Sequence, residues 1–126
     1  MPVWGKMNVA QMLAHCNVTY EMVYESKHIK PKGFKKWVLK TFVKNVVVNE
    51  KPYKRNSRTA PQFLVTNQRE FEVEKNRLVV FIKQTQELAA DYFDKTESHS
   101  FGYLTKNEWN NMFYRHLNHH LTQFGV

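Results

Sequence analysis

Apolar residues return at helical spacing in four stretches of the chain. The first covers residues 8–25, where apolar positions recur every three or four residues. Asn8 stands before it as a suitable N-cap, with Gln11 three residues later to complete a capping box. The last stretch begins with the same signal, Thr105 followed by Glu108, and a glycine lies just past its end. These two stretches predict well-bounded amphipathic helices.

The second stretch, "GFKKWVLKTFVKNVVV", carries apolar residues along one side and lysines opposite them. The residues expected on the buried side are Phe34, Trp37, Val38, Thr41, Phe42 and Val46. A helix is predicted here, although the terminal "NVVV" is equally compatible with extended backbone, because β-branched residues lose side-chain freedom in a helix. Residues 51–66 contain two prolines and are predicted to form an irregular loop.

The longest periodic stretch predicts a helix over residues 67–92. One face of this helix collects Phe71, Glu74, Leu78, Phe81, Ile82, Thr85, Leu88 and Ala89, with the glutamate as its polar exception. Four amphipathic stripes can bury their apolar sides against one another in a helical bundle. With 126 residues, the chain is predicted to be all-α and to form one domain over residues 1–126.

The composition is that of a soluble globular protein. Hydrophobic residues make up 42% of the chain and charged residues 24%. No apolar run approaches the roughly 18 residues that a transmembrane helix needs. The N-terminal residues do not have the pattern of a signal peptide, and the single cysteine, Cys16, excludes an internal disulfide. We therefore expect a cytoplasmic protein without a membrane partner.

The chain carries a net charge of +8, and much of the excess lies between residues 27 and 58. A basic surface of this kind attracts anionic partners, but the same pattern is typical of a solvated helix face. The sequence contains no recognisable nucleic-acid-binding module. Nucleic acid is therefore not the expected partner.

Histidines occupy the apolar side of the last helix. His116 and His120 follow Trp109 and Met112 at helical steps, so they lie one turn apart on the stripe that should be buried. In the first helix, His15 also falls in line with residues expected to face inward. Three inward imidazoles from two helices could bind zinc, nickel, copper or iron and leave coordination positions open for water or substrate.

The alternative is that these are ordinary core histidines with hydrogen-bonded ring nitrogens. H-x-x-x-H is a weak signal by itself, and Leu117 stands where the zinc-protease motif requires Glu, which excludes that mechanism. His119 is expected off to the side, His99 at the rim of the site and His28 on the surface. Cys16 points about 100° away from its histidine neighbour, so it is expected to fill space in the core.

Three segments resemble a known superfamily: "WGKMNVAQMLAHCN", "HSFGYLT" and "EWNNMFYRHLNHHLTQFGV". They look like the DinB/YfiT-like metalloproteins, and more closely like an uncharacterised branch with a W-G-K-M opening and a Y-R-H-x-x-H-H-L-x-Q-F ending. The resemblance covers nearly the whole chain. It implies an antiparallel four-helix bundle, often a homodimer, with a divalent metal bound by His15, His116 and His120.

The resemblance also implies a further helix before the W-G-K-M segment, and the chain is expected to lack this first helix of the superfamily. Residues 33–48 would then be an insertion or a partial replacement for it. Characterised relatives include transferases and isomerases that use low-molecular-weight thiols. The resemblance therefore implies a metal-dependent enzyme acting on a small-molecule substrate.

The reaction expected from this resemblance is activation of a thiol or water by a divalent metal, as in a thiol S-transferase or a hydrolase. The candidate metals are zinc, nickel and manganese. Arg58, whose forked donors could clamp a carboxylate, and Glu21 are the candidate catalytic residues. Two alternatives stay open: a non-catalytic protein that binds a metal or small ligand, and a basic structural bundle with core histidines.

Overall fold

The computed structural model describes residues 2–54 and 63–126, and over these ranges the chain is mostly helical with one small sheet. The elements in chain order are α1 (Val9–Tyr24), α2 (Gly33–Val38), a π-helical segment (Leu39–Val43), α3 (Lys44–Val48), α4 (Phe71–Phe93), β1 (Thr96–Ser98), β2 (Gly102–Leu104) and α5 (Lys106–Gln123). A mainly α fold agrees with the prediction from periodicity.

Helix α1 is the inner helix of the fold. The predicted capping box is present: the Asn8 side chain accepts the Gln11 N–H at 2.8 Å, and the Gln11 side chain accepts the Asn8 N–H at 3.0 Å. Every residue of 12–21 is buried, because α4 and α5 both pack against this helix. Polar side chains on α1 are therefore enclosed and must find partners inside the protein.

Helix α4 begins at Phe71, four residues later than predicted. The side chain of Gln11 donates to the Asn67 carbonyl at 3.1 Å, and the Asn67 side chain accepts from Arg69 at 3.1 Å. These local hydrogen bonds satisfy the preceding residues without helix. The predicted inner face is largely confirmed, but Phe71 and Ala89 are exposed, and Ala89 kinks the helix with φ 65° and ψ 169°.

Among the residues that the structure describes, buried apolar side chains form two clusters. The first, between α1 and α4, consists of Met12, Leu13, Cys16, Tyr20, Leu78 and Phe81. Its tyrosine ring stacks on Phe81 and on Phe113 of α5, with centroid distances of 5.6 and 5.3 Å. The second cluster lies where α3, the end of α4, β2 and α5 meet, and it consists of Val48, Phe93, Leu104, Trp109 and Met112.

A β-hairpin connects α4 to α5 and was not predicted. Strands β1 and β2 are antiparallel, with Thr96 opposite Leu104 and Ser98 opposite Gly102. The hairpin is tied to α5 because the Trp109 indole donates to the Thr96 carbonyl at 3.3 Å. The predicted capping box of Thr105 is present at the start of α5, and the predicted glycine lies just past its end.

The predicted orientation of residues 33–48 is wrong. The segment is helical, including its "NVVV" end, but Val48 is its only buried residue. Phe34, Trp37 and Phe42 are 78%, 54% and 65% exposed, and they contact one another instead of the core. These three rings share one face, and that face stays exposed because the segment packs on α5 mainly through its α3 end, where Val48 joins the core.

Candidate metal centre

His15, His116 and His120 converge between α1 and α5. One ring nitrogen of each lies within 4.8 Å of the others, and His15 and His120 are buried while His116 is half-buried. The Nε2 atoms of His15 and His116 are 3.1 Å apart. The structure therefore brings together all three histidines that the spacing selected.

The tautomer of His15 is set by a backbone carbonyl. Its Nδ1 lies 2.8 Å from the carbonyl oxygen of Phe63, which can only accept a hydrogen bond. Nδ1 must therefore carry the proton in the neutral ring, and the lone pair is left on Nε2. Nε2 is the atom that faces the other histidines.

His120 is oriented in the same way by Gln123. The Gln123 amide nitrogen donates to the Trp4 carbonyl at 2.7 Å, which turns its oxygen towards Nδ1 of His120 at 2.9 Å. Gly5 makes this arrangement possible, because its φ of 87° suits glycine and a Cβ there would collide with the Gln123 amide. His120 therefore also donates from Nδ1 and keeps its lone pair on Nε2.

His116 has a hydroxyl as its outer partner. Its Nδ1 lies 3.2 Å from Oγ of Thr19, one turn along α1 from His15. A hydroxyl can accept or donate, so either tautomer of His116 is compatible with this contact. With the proton on Nδ1, all three Nε2 lone pairs would be available at the centre of the cluster.

Burial keeps the three imidazoles neutral. It lowers the pKa of His15, and together with the neighbouring histidines it lowers the pKa of His116 well below the ordinary value. Burial and the nearby His15 lower the pKa of His120 to about 4. The neutral ring is the form that binds a metal, so these shifts prepare the cluster for ligation at neutral pH.

The spacing of the cluster fits one ion after a small adjustment. Two nitrogen ligands at about 2.0–2.1 Å from a tetrahedral zinc ion lie about 3.4 Å apart, and no pair can exceed about 4.2 Å. The 3.1 Å separation of the His15 and His116 nitrogens already falls in this range. A spacing as wide as 4.8 Å must shorten by about 0.6 Å to reach the upper limit and by about 1.4 Å to reach the tetrahedral value.

Glu21, a candidate catalytic residue, lies in a buried ion-pair network between α1 and α4. Its carboxylate accepts hydrogen bonds from Arg77 and from His28, the latter at 2.9 Å, and pairs with Lys27 at 3.5 Å. Arg77 also donates to Glu74 at 3.0 Å. None of the polar contacts of Glu21 in the described ranges reaches a triad histidine.

This network lowers the pKa of Glu21. Burial alone would raise it, but the hydrogen bonds from Arg77 and His28 and the charge of Lys27 outweigh burial. The prediction that His28 lies on the surface is wrong, because His28 is half-buried against this carboxylate. The carboxylate of the buried Glu74 on α4 is also paired, with both Arg77 and Arg69.

The other candidates fall in different places. Arg58 lies outside the described residues. His99 is half-buried beside Ser100 and the His28 carbonyl, so it belongs to the hairpin region. His119 packs edge-on against His120, with centroids 5.0 Å apart, as expected for a residue at the side of the cluster.

Cys16 is a core residue, as predicted. It is buried among the apolar side chains of α1 and α4, with its sulfur 3.7 Å from that of Met12. Burial raises the pKa of Cys16 to about 12, so it stays a neutral thiol and is a poor metal ligand at neutral pH.

Sequence reasoning missed the residues that orient the histidines. The carbonyl of Phe63 carries no side-chain signal, and its contact spans 48 positions of sequence. Gln123 does stand in the C-terminal motif, three residues after His120, and that spacing places both on one side of a helix. Its role depends on Trp4, which only the fold brings to it.

Within the described ranges, none of the helices combines the length and apolar character needed to cross a bilayer.

The family of the chain follows from its similarity to known proteins. No curated protein and no solved structure matches the chain. A family model with the description "Protein of unknown function (DUF1569)" matches residues 2–125, and the chain therefore belongs to this family.

Proposed function

We propose that the protein binds one divalent transition-metal ion through His15, His116 and His120. The observation that carries this proposal is the convergence of three neutral imidazoles whose outer nitrogens have partners: a carbonyl, an amide oxygen and a hydroxyl. Metal-binding histidines typically use such partners to hold the ring and its tautomer. Buried core histidines also need hydrogen-bond partners, so what favours a metal is that one ring nitrogen of each of the three histidines lies within 4.8 Å of the others.

We further propose that the domain, covering residues 1–126, is a DinB-like antiparallel four-helix bundle and that the metal supports catalysis. The support is the resemblance of the W-G-K-M and Y-R-H-x-x-H-H-L-x-Q-F segments and the match in ligand pattern, one histidine on an inner helix and two on the last. The proposal includes a cytoplasmic location, a small-molecule substrate and a homodimer.

The donor set narrows the choice of metal. Three imidazoles suit zinc, nickel, copper or iron, whereas manganese prefers carboxylate and water oxygens. No carboxylate joins the cluster among the described residues. Zinc and nickel are therefore favoured over manganese.

The chain's own residues would prepare the site for chemistry. Neutral ligands leave the full charge of the ion in place, and three protein ligands leave coordination positions free. A divalent ion bound there would lower the pKa of a thiol or water and so supply a nucleophile at neutral pH. Phe63, Thr19 and Gln123 would hold the rings in position through their hydrogen bonds.

A second candidate is a cluster of core histidines without metal. The 3.1 Å contact between the Nε2 atoms of His15 and His116 favours it, because this distance also suits a hydrogen bond from one ring to the other. In that case His116 would donate from Nε2 and accept the Thr19 hydroxyl at Nδ1. The two candidates differ in what joins His15 and His116: a bound metal ion in the first, and a hydrogen bond between the two rings in the second.

The proposal is tested with zinc-loaded protein in two steps. Zinc affinity is first compared between the wild type and His116→Ala, with His99→Ala as a matched histidine control. The proposal predicts a large loss in His116→Ala and none in the control. The loaded protein is then incubated with a low-molecular-weight thiol and an electrophile, and with ester substrates. Turnover that His116→Ala abolishes supports an enzyme, whereas tight zinc binding without turnover supports a binding protein.

A further inference from the structure

A small pocket lies beside the histidine cluster, on the neighbouring side of α5. It has a volume of about 170 Å³, and its lining includes Trp4, Tyr53, Arg115, Asn118, His119 and Thr122. This set is called the Arg115 pocket below. Its volume is close to that of a cavity of about 150 Å³ that holds benzene. The pocket can therefore take a group of about that size.

The electrostatic character of the pocket is positive. Arg115 contributes a permanent charge, and the lining contains no aspartate or glutamate. In the ranges 2–54 and 63–126, no carboxylate lies within ion-pair distance of Arg115. This contrasts with Arg77 and Arg69, which both pair with buried glutamates. The Arg115 guanidinium lies 5.3 Å from the centre of the Tyr114 ring, but it has no anionic partner among the described residues.

The Nε atom of Arg115 is a buried donor without an acceptor in the described part of the chain. A buried donor left unpaired is costly, and most such groups in proteins have a partner. Arginine binds a carboxylate best through two parallel N–H groups, and Nε with a neighbouring Nη provides one such pair. A planar anionic group is therefore the ligand that the Arg115 guanidinium fits best, once its side chain turns Nε towards the pocket.

The remaining walls suit an organic body attached to that anion. The Tyr53 hydroxyl donates to the Val47 carbonyl at 2.7 Å, which fixes the position of this ring. The Trp4 and Tyr53 rings lie 5.5 and 5.9 Å from the His119 ring, and together they form an aromatic wall. Asn118 and Thr122 add polar groups at the same site.

We propose that the Arg115 pocket binds a small organic carboxylate, with the carboxylate on the Arg115 guanidinium and the organic part against Trp4 and Tyr53. The pocket adjoins the histidine cluster, because His119 packs on His120 and the Trp4 carbonyl holds Gln123 in place. The pocket is thus a subsite for the acidic end of a substrate. Only this last role rests on the proposed metal function, since carboxylate binding itself needs no metal.

The probe is benzoate, whose ring matches the size of the pocket, and its binding is measured by titration calorimetry. Benzamide is the neutral analogue of the same shape, and inorganic phosphate is the anion without an organic body. The first titrations use protein freed of metal with a chelator, so that benzoate has no ion to coordinate. The expected result is that benzoate binds more tightly than either benzamide or phosphate.

Three variants locate the binding. Arg115→Met should weaken benzoate binding by about tenfold or more, since it removes the charged donor pair. Lys83→Met removes one positive charge from an exposed position of α4 and should leave binding unchanged. Arg115→Lys keeps the charge but loses the parallel N–H pair, so it should also weaken binding. This conservative variant decides the matter if circular dichroism shows that Arg115→Met does not fold.

Several results would overturn the proposal. They are the absence of benzoate binding, equal binding of benzamide, equal binding of phosphate, or benzoate binding that survives the Arg115 substitutions. Zinc binding is measured on the same samples to separate this proposal from the metal function. Zinc binding without benzoate binding refutes the pocket alone, and Arg115-dependent benzoate binding without zinc binding refutes the metal site alone.

Discussion

Replacing Gln123 with leucine tests whether the partners of the histidines prepare a metal site. The Gln123 oxygen is the acceptor for Nδ1 of His120, and its amide nitrogen is held by the Trp4 carbonyl. Leucine keeps the size and helix preference of the side chain but removes both hydrogen bonds. His120 then loses the contact that fixes its tautomer and ring orientation.

The expected loss in zinc affinity is about 10- to 100-fold, the usual effect of removing a group that orients a metal-binding histidine. This corresponds to about 1.4–2.8 kcal/mol of binding free energy. The same substitution leaves the Trp4 carbonyl without its donor, which should also lower the free energy of unfolding by about 1–3 kcal/mol. Affinity must therefore be compared at a temperature where both proteins are folded.

The assay is competition for zinc against a chromophoric chelator, with two control variants. Gln123→Glu keeps an acceptor for His120 and should lose less affinity than Gln123→Leu. Asn111→Leu removes a side-chain donor on the same helix that bonds the Val48 carbonyl at 3.0 Å and, among the described residues, makes no polar contact with the triad. It should not change zinc affinity. Equal zinc affinity in Gln123→Leu and the wild type would refute the reasoning.

Three further predictions concern stability and are measured by urea unfolding. The pKa of Glu21 is lower in the folded protein than in the unfolded chain, so its stabilising effect is complete above about pH 4.5 and is lost as the pH falls through the folded value. Glu21→Gln should reduce this loss of unfolding free energy at low pH, and an unchanged loss would contradict the network. Leu104→Ala should cost about 2–5 kcal/mol because the side chain is fully buried, whereas Val46→Ala on the exposed segment should stay within about 0.5 kcal/mol. Ala89→Gly should stabilise the protein by about 1 kcal/mol, because φ 65° with ψ 169° is a glycine conformation, and a destabilising effect would contradict the kink.

Local signals in the sequence were sufficient to predict the framework of the site. The Asn8 and Thr105 capping boxes mark where α1 and α5 begin, and both are present. Once those helices are placed, the helical repeat puts His116 one turn from His120 on the buried side. His15 could be included because it falls in line with Met12, Thr19 and Met22 on the first helix.

What escaped prediction depends on distant contacts or on a change of helical repeat. The carbonyl of Phe63 and the Trp4–Gln123 contact reach the histidines from parts of the chain 48 and 119 positions away. The stripe with Trp37 looked buried because its periodicity is that of a core-facing helix, but which neighbour covers a helix face depends on the whole fold, and here only the α3 end packs well on α5. No composition signal distinguished the hairpin between α4 and α5 from an ordinary loop.

The measurement that tests the central claim most directly is metal content by elemental analysis of protein purified without a histidine tag. The wild type is compared with a His116→Ala, His120→Ala double variant and with His99→Ala as the control. The account predicts about one transition-metal ion per chain in the wild type and the control, and none in the double variant. A wild type that stays free of metal after reconstitution with zinc, nickel and manganese, or a double variant that keeps its metal, would contradict it.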